Sequence, residues 1–170
     1  IDSLYEGTTA IQAQDFFFRK IARDQGAALS HLVGQIDAFL DLEPASPELA
    51  AARDLLRTAL DDVKAMVATL TGYLIASQQN SRELYRLGLE SVRFLLAVGD
   101  LLIGWLLQQQ AHIAAADLAA DPSPADRDFY EGKIAAAIFF ATTVLPRLTA
   151  DRGIVANTDA ALMDVPEGAF

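Results

Sequence analysis

One helix-start signal occurs twice in this chain and fixes most of what it can fold into. In Ser46-Pro47-Glu48, and again in Ser123-Pro124-Ala125-Asp126, a hydroxyl stands at the capping position, a proline at the first helical position and an acid in the first turn. After the first signal Leu49, Ala52, Leu56, Leu60, Val63, Val67, Leu70 and Leu74 recur at helical spacing, with Asp54, Arg57, Asp61 and Lys64 on the other side. This predicts an amphipathic helix from Ser46 to Leu74. After the polar break Gln78-Gln79-Asn80-Ser81, Leu84 to Ala116 reads as a second long helix. The second signal opens a third, with Phe129 or Tyr130, Ile134, Ile138, Ala141, Leu145 and Leu148 in its stripe, and Pro146 should kink or end it. Upstream, Ala10 to Leu42 has the same periodicity, split near Gly26, which gives two helices or one bent helix. The fold class is therefore all-α: an up-and-down helical bundle of about four long helices, antiparallel because the connections are short, with an irregular C-terminal tail.

Local patterns add detail. Arg57 and Asp61 have the spacing of an i,i+4 ion pair, and Asp61-Asp62 falls on the charged, solvated face. The apolar run Val92 to Leu107 contains Arg93 and Asp100, each costing roughly 3 kcal/mol at a membrane centre, so no membrane span is expected there. Those two charges should instead meet partners on another helix. Gly99 and Gly104 would let a neighbouring helix approach closely, and Trp105 should be a buried anchor. Phe16-Phe17-Phe18 cannot fit one narrow face, so at least one ring should point away from the local core towards another domain or subunit. From Gly153 the periodicity is lost, and the apolar tail to Phe170 is expected in a groove between helices.

Composition excludes several functions. A net charge of -10 and a pI near 4.5 leave nothing to replace counterions on a phosphate backbone, so no nucleic-acid partner is expected. Cysteine is absent, which removes disulfides and thiolate metal sites. The residues three before His31 and His112 are Ala28 and Gln109, so no Glu-x-x-His di-iron pattern exists and no metal site is assigned. The histidines are expected in ordinary surface or core contacts. The chain opens without methionine, which favours a fragment of a longer protein, and no basic region precedes an apolar run, so a cytoplasmic location is the expectation.

The chemistry-bearing stretch is Tyr5-Glu6-Gly7-Thr8-Thr9-Ala10-Ile11-Gln12. A carboxylate, a glycine and two threonines run into an apolar-periodic segment, as in a loop that delivers Glu6 to a helix entrance. Thr9 with Gln12 three residues later fits a capping box. Gly7 leaves the turn without a side chain, free to take unusual dihedrals or to lie close to a ligand.

Tyr5-Glu6-Gly7-Thr8, Ile11-Gln12 and the basic pair Arg19-Lys20 resemble the YEGT…IQ…R signature of acyl-CoA dehydrogenases, over about the first twenty-five positions. Gly99-Asp100 with Gly104-Trp105-Leu106-Leu107 resembles, more loosely, the extra C-terminal helical domain of longer members. The resemblance implies that Glu6 is the catalytic base that removes the α-proton of an acyl-CoA while FAD takes the β-hydrogen as hydride. It places Gly7 on the substrate side and Thr8 and Gln12 beside the FAD. It also implies an acyl-CoA substrate of fatty acid β-oxidation, electron-transferring flavoprotein as partner and a homo-oligomer. On this reading 1–25 ends the catalytic domain, 26–170 is an appended helical bundle, and the isolated fragment is inactive. The alternative is a non-catalytic helical bundle that mediates subunit or protein–protein contact.

Overall fold

The computed structural model describes residues 8–169. Six α-helices follow in order: α1 (Thr9–Asp15), α2 (Ala27–Leu40), α3 (Pro47–Ala76), α4 (Glu83–Ala119), α5 (Pro124–Thr143) and α6 (Arg147–Asn157). No strand occurs among the described residues. The expected all-α bundle is thus what forms, with α2 to α5 where periodicity put them. Both start signals work as read. Ser46 Oγ accepts from Leu49 N at 3.2 Å and Ser123 Oγ from Asp126 N at 3.3 Å, each satisfying a backbone donor that the helix leaves unpaired.

The core lies along α3 and α4, which run antiparallel through the short turn after Ala76. Leu56, Leu60, Met66 and Leu70 of α3 pack with Leu87, Phe94 and Leu101 of α4 in one buried cluster. Trp105 is buried in it, as expected. At Gly104 the close neighbour is not a helix but the turn between α5 and α6: a Cβ there would lie 2.9 Å from Leu145 Cδ2. Gly99 is different, since a Cβ there would meet nothing within 4 Å.

The Phe16-Phe17-Phe18 expectation is corrected. Between α1 and α2 the chain winds as a π-helix, Phe16–Ala22, with Arg23 N bonded to Phe18 O and Gly26 N to Ile21 O, five residues back. A wider coil has more residues per turn, so adjacent side chains diverge by a smaller angle. Phe17 is fully buried, and both Phe16 and Phe17 reach Phe94, with ring centroids 5.8 and 6.1 Å away. Phe18 packs edge-on against Phe17 at 5.7 Å. All three rings serve the local core. The turn into α2 uses positive φ at Gln25 (56°) and Gly26 (76°), and both Asp24 carboxylate oxygens accept from backbone N–H groups of the turn and of α2.

Two further corrections concern α3. Arg57 does not pair with Asp61: it donates to the Leu40 carbonyl at 3.3 Å, while Asp61 meets Lys64 at 3.7 Å. Arg53, which unlike Arg57 is buried, donates to the Leu42 carbonyl and lies over the Phe39 ring. Arg57 thus serves a carbonyl that α2 leaves unpaired at its C-terminal end, and Arg53 one just beyond it. Asp62 is not solvated. It is buried, accepts from Thr149 Oγ1 at 2.6 Å and pairs with Arg152 at 3.1 Å.

Nor is the tail irregular from Gly153. Helix α6 continues to Asn157, and the following residues make two short 3-10 turns, Ala161–Asp164 and Glu167–Ala169. Val155 is buried, but beyond α6 the apolar side chains are not sunk in a groove, for Leu162, Met163 and Val165 are all exposed. Polar contacts hold it instead. Arg82 reaches both Asp164 carboxylate oxygens at 2.6 Å, and Arg86 Nε donates to Thr158 O at 2.7 Å. Pairing with Arg82 holds the Asp164 carboxyl below the usual carboxylate range.

Candidate functional site

Tyr5, Glu6 and Gly7 lie outside the described residues, so the residues expected as base and substrate-side glycine carry no geometry. The pair expected beside a flavin, Thr8 and Gln12, does. Thr8 occupies the capping position of α1 and Gln12 lies one turn further on, both exposed. Thr9 is the first helical residue, which corrects the capping-box reading: the helix starts one residue earlier than that box needs. Four residues apart at a helix start, Thr8 and Gln12 project to one side, where a hydroxyl and an amide can hydrogen-bond a polar ligand edge.

The helix that presents them is firmly seated. Ala13 and Phe17 are fully buried against α4, and Arg19 is bonded to Asp15 at 2.9 Å on the solvent side. A π-helical segment immediately follows the motif, and such segments frequently occur at functional sites. Between this segment and the start of α4 lies an apolar groove of about 360 Å³, bordered by Gln14, Phe18, Tyr85, Leu89 and Met163.

Further along lie polar pairs whose partners the sequence did not name. Arg93 meets Asp151 of α6 at 2.8 Å and Glu90 of its own helix at 2.8 Å, and Glu90 also accepts from Thr158 Oγ1 at 2.6 Å. The expected cross-helix partner of Arg93 is therefore Asp151. Asp100 borders the same cleft, with Arg147 and Asp151 facing it. Burial pushes its carboxyl above the usual range, with Arg147 opposing and Asp151 adding to the shift. His31 is exposed beside Gln35, and His112 stands edge-on to Phe39. Among the described residues no three His, Cys, Asp or Glu side chains group as metal ligands.

A family model described as "Acetyl-CoA dehydrogenase C-terminal like" matches residues 32–166, from α2 into the tail. The chain belongs to this family. Similar proteins are named as CoA dehydrogenases of several kinds. The chain is 56% identical over 170 residues to the "Broad-specificity linear acyl-CoA dehydrogenase FadE5" of Mycobacterium tuberculosis, covering 100% of this chain and 28% of that protein. It is 34% identical over 161 residues to the "3-methylmercaptopropionyl-CoA dehydrogenase" of Ruegeria pomeroyi, covering 94% and 26%. A "Butyryl-CoA dehydrogenase" of Syntrophomonas wolfei is 32% identical over 171 residues, covering 100% and 27%. The chain spans about a quarter of the length of these relatives.

Among the described residues one stretch, Pro124–Asn157, is by length and composition apolar enough to cross a membrane, and it is not the run Val92 to Leu107. Its helix breaks between Thr143 and Arg147, and Asp151 and Arg152 beyond the break are paired to α4 and α3.

Proposed function

We propose that this chain is the C-terminal part of an FAD-dependent acyl-CoA dehydrogenase, with 1–25 closing the catalytic domain and 26–170 forming an appended bundle. The observation that carries the reading is the coincidence of two matches: the opening Tyr5-Glu6-Gly7-Thr8…Ile11-Gln12 motif and the family match beginning at residue 32. The turn at Asp24 to Gly26 lies between them, although Phe17 and Ile21 before it share the core of the bundle.

Thr8 and Gln12 suit the flavin, since both are exposed residues on one side of a helix whose other side is buried. When bound, FAD supplies the acceptor for the β-hydrogen. The chain's own task is the proton. A free glutamate, with a pKa of about 4.3, is a weak base towards a carbon acid. Expulsion of water by an acyl chain destabilises the Glu6 carboxylate and strengthens it, and Gly7 gives its backbone freedom to bring the oxygen onto the α-proton. A neighbouring thioester carbonyl, once polarised, acidifies that carbon.

The test is made in the longer protein. Glu6→Gln should bind FAD and acyl-CoA but fail to bleach the flavin on addition of substrate, because an amide does not accept the proton. Full-speed bleaching would move the base elsewhere and leave the motif as a helix entrance. An electron-transferring flavoprotein as acceptor, fatty acid β-oxidation as setting, a homo-oligomer, a cytoplasmic location and the absence of a membrane span belong to the same proposal. They rest on the family resemblance and composition.

A further inference from the structure

Helix α4 has two apolar faces, and only one is used. Its inner face carries Leu87, Phe94, Leu101 and Trp105 into the core. Its outer face carries Tyr85, Leu89, Leu96, Ile103, Leu106 and Ile113, each at least 40% exposed. With Val92, Gly99 and Gln110 they complete an unbroken alternation of four- and three-residue steps from 85 to 113. That 3.5-residue period is the pattern of a seam for a second helix lying nearly alongside, over about 42 Å. Gly99 sits at its centre. A mid-helix glycine costs about 1 kcal/mol relative to alanine. At Gly104 that cost has an internal reason in Leu145, but at Gly99 a Cβ would find open space, so nothing in this fold requires it. Close approach from outside would.

We propose that this outer seam is an intramolecular interface, covered in the longer protein by a helix from the part of the chain that precedes α1. The inference rests on the reading above that this chain is the C-terminal part of a longer enzyme. Two observations choose the occupant. The relatives are between three and four times as long, and α1, which leads out of the described fold, flanks the seam at its start, where Gln14 and Phe18 share a groove with Tyr85 and Leu89. A second copy fits poorly. A two-fold axis at Gly99 would set the adjacent Asp100 against its own image, between two chains that each carry a charge of -10.

The experiment uses the full-length protein with Leu96→Cys or Ile103→Cys, and Glu131→Cys on the exposed side of α5 as reference. Maleimide labelling is followed by mass spectrometry on the peptide concerned. Labelling at 96 and 103 should be at least about tenfold slower than at 131, equally at low and high protein concentration. Protection that disappears on dilution would assign the seam to a second copy and overturn the proposal, as would labelling as fast as at the reference. Gly99→Leu gives an independent sign. It should lower the melting temperature if the seam is covered, and an unchanged or raised value, as helix propensity alone would give, overturns the proposal. Neither readout depends on flavin bleaching, so the interface and the role of Glu6 fail separately.

Discussion

Helices α5 and α6 follow one another in sequence and both lie against the α3–α4 pair, yet they are held there by different physics. Helix α5 buries Ala137 and Ala141, with Ile134 and Ile138 packed beside them, and its polar ties to α4 are few: Lys133 to Gln110 at 3.0 Å, and Tyr130 to Asp117. Helix α6 buries Leu148 and Val155 but is surrounded by polar pins. Thr149 and Arg152 meet Asp62, Asp151 meets Arg93, and Tyr73 Oη donates to the Val155 carbonyl at 2.8 Å. That last bond satisfies a carbonyl which the end of α6 leaves unpaired, so a residue of α3 caps α6 from outside. A long helix can stay seated on an apolar stripe alone, whereas an eleven-residue helix is marginal by itself and needs point contacts.

The largest effect should come from the apolar component that the two helices share. Leu148 is fully buried, and Leu148→Ala should cost about 3 kcal/mol, read from the midpoint of chemical denaturation. A loss below about 1 kcal/mol would mean that polar pins alone seat α6.

Next is Arg152→Ala. It leaves the buried Asp62 carboxylate with Thr149 as its remaining partner, and because Arg152 is itself half-exposed, water replaces part of what is lost. We expect about 1.5 kcal/mol, the order of a charge-assisted bond, against less than about 0.5 kcal/mol for Lys133→Ala on α5. Equal losses at the two sites would remove the distinction between the helices.

This difference is also why one helix was legible in the sequence and the other was not. The stripe of α5 has a period, and Ser123 with Pro124 announces its start. In Arg147 to Asn157 only Leu148 and Val155 are buried, too few to show a period of their own, so Leu148 reads as the end of the preceding stripe and the residues from Gly153 read as tail. Asp62 misled for a related reason: beside Asp61 it reads as part of a charged face, and its partners are 87 and 90 positions away. Pairs so distant leave no local signal. The π-helical winding at Phe16 was hidden too, since three adjacent aromatics conflict with any α-helical face and only the backbone could resolve the conflict. Of the site, the motif gave identities, and the structure adds the shared, exposed side of Thr8 and Gln12.

A smaller step tests the cap. Tyr73→Phe removes the hydroxyl that serves Val155 and that accepts from Arg86 at 2.9 Å, while the ring beneath the Arg86 guanidinium stays. The loss should be about 1 kcal/mol, with faster amide exchange confined to the end of α6. Exchange spread over α3 as well would show that the hydroxyl supports the core rather than the cap.

The smallest effect, and the one that separates attraction from burial, is at Asp100. Its carboxyl is pushed up mainly by burial, helped by Asp151 and opposed by Arg147, so the folded state holds the proton more tightly than the unfolded chain does. A raised folded pKa contributes stability that is fully present below about pH 4, the unfolded value, and is lost as pH rises through the folded one. At neutral pH the ionised carboxylate is therefore a net burden in the cleft between α4 and α6. Asp100→Asn should stabilise the protein at pH 7 by up to about 0.5 kcal/mol, a gain that shrinks as pH falls through the folded value and the native carboxyl takes up its proton. The comparison has to be made between variant and parent at each pH, because the Asp164 carboxyl, held low by Arg82, works in the opposite direction and keeps its contribution down to more acid conditions. A variant less stable than its parent at pH 7 would show that attraction to Arg147 outweighs burial, and would add Asp100 to the polar pins that seat α6.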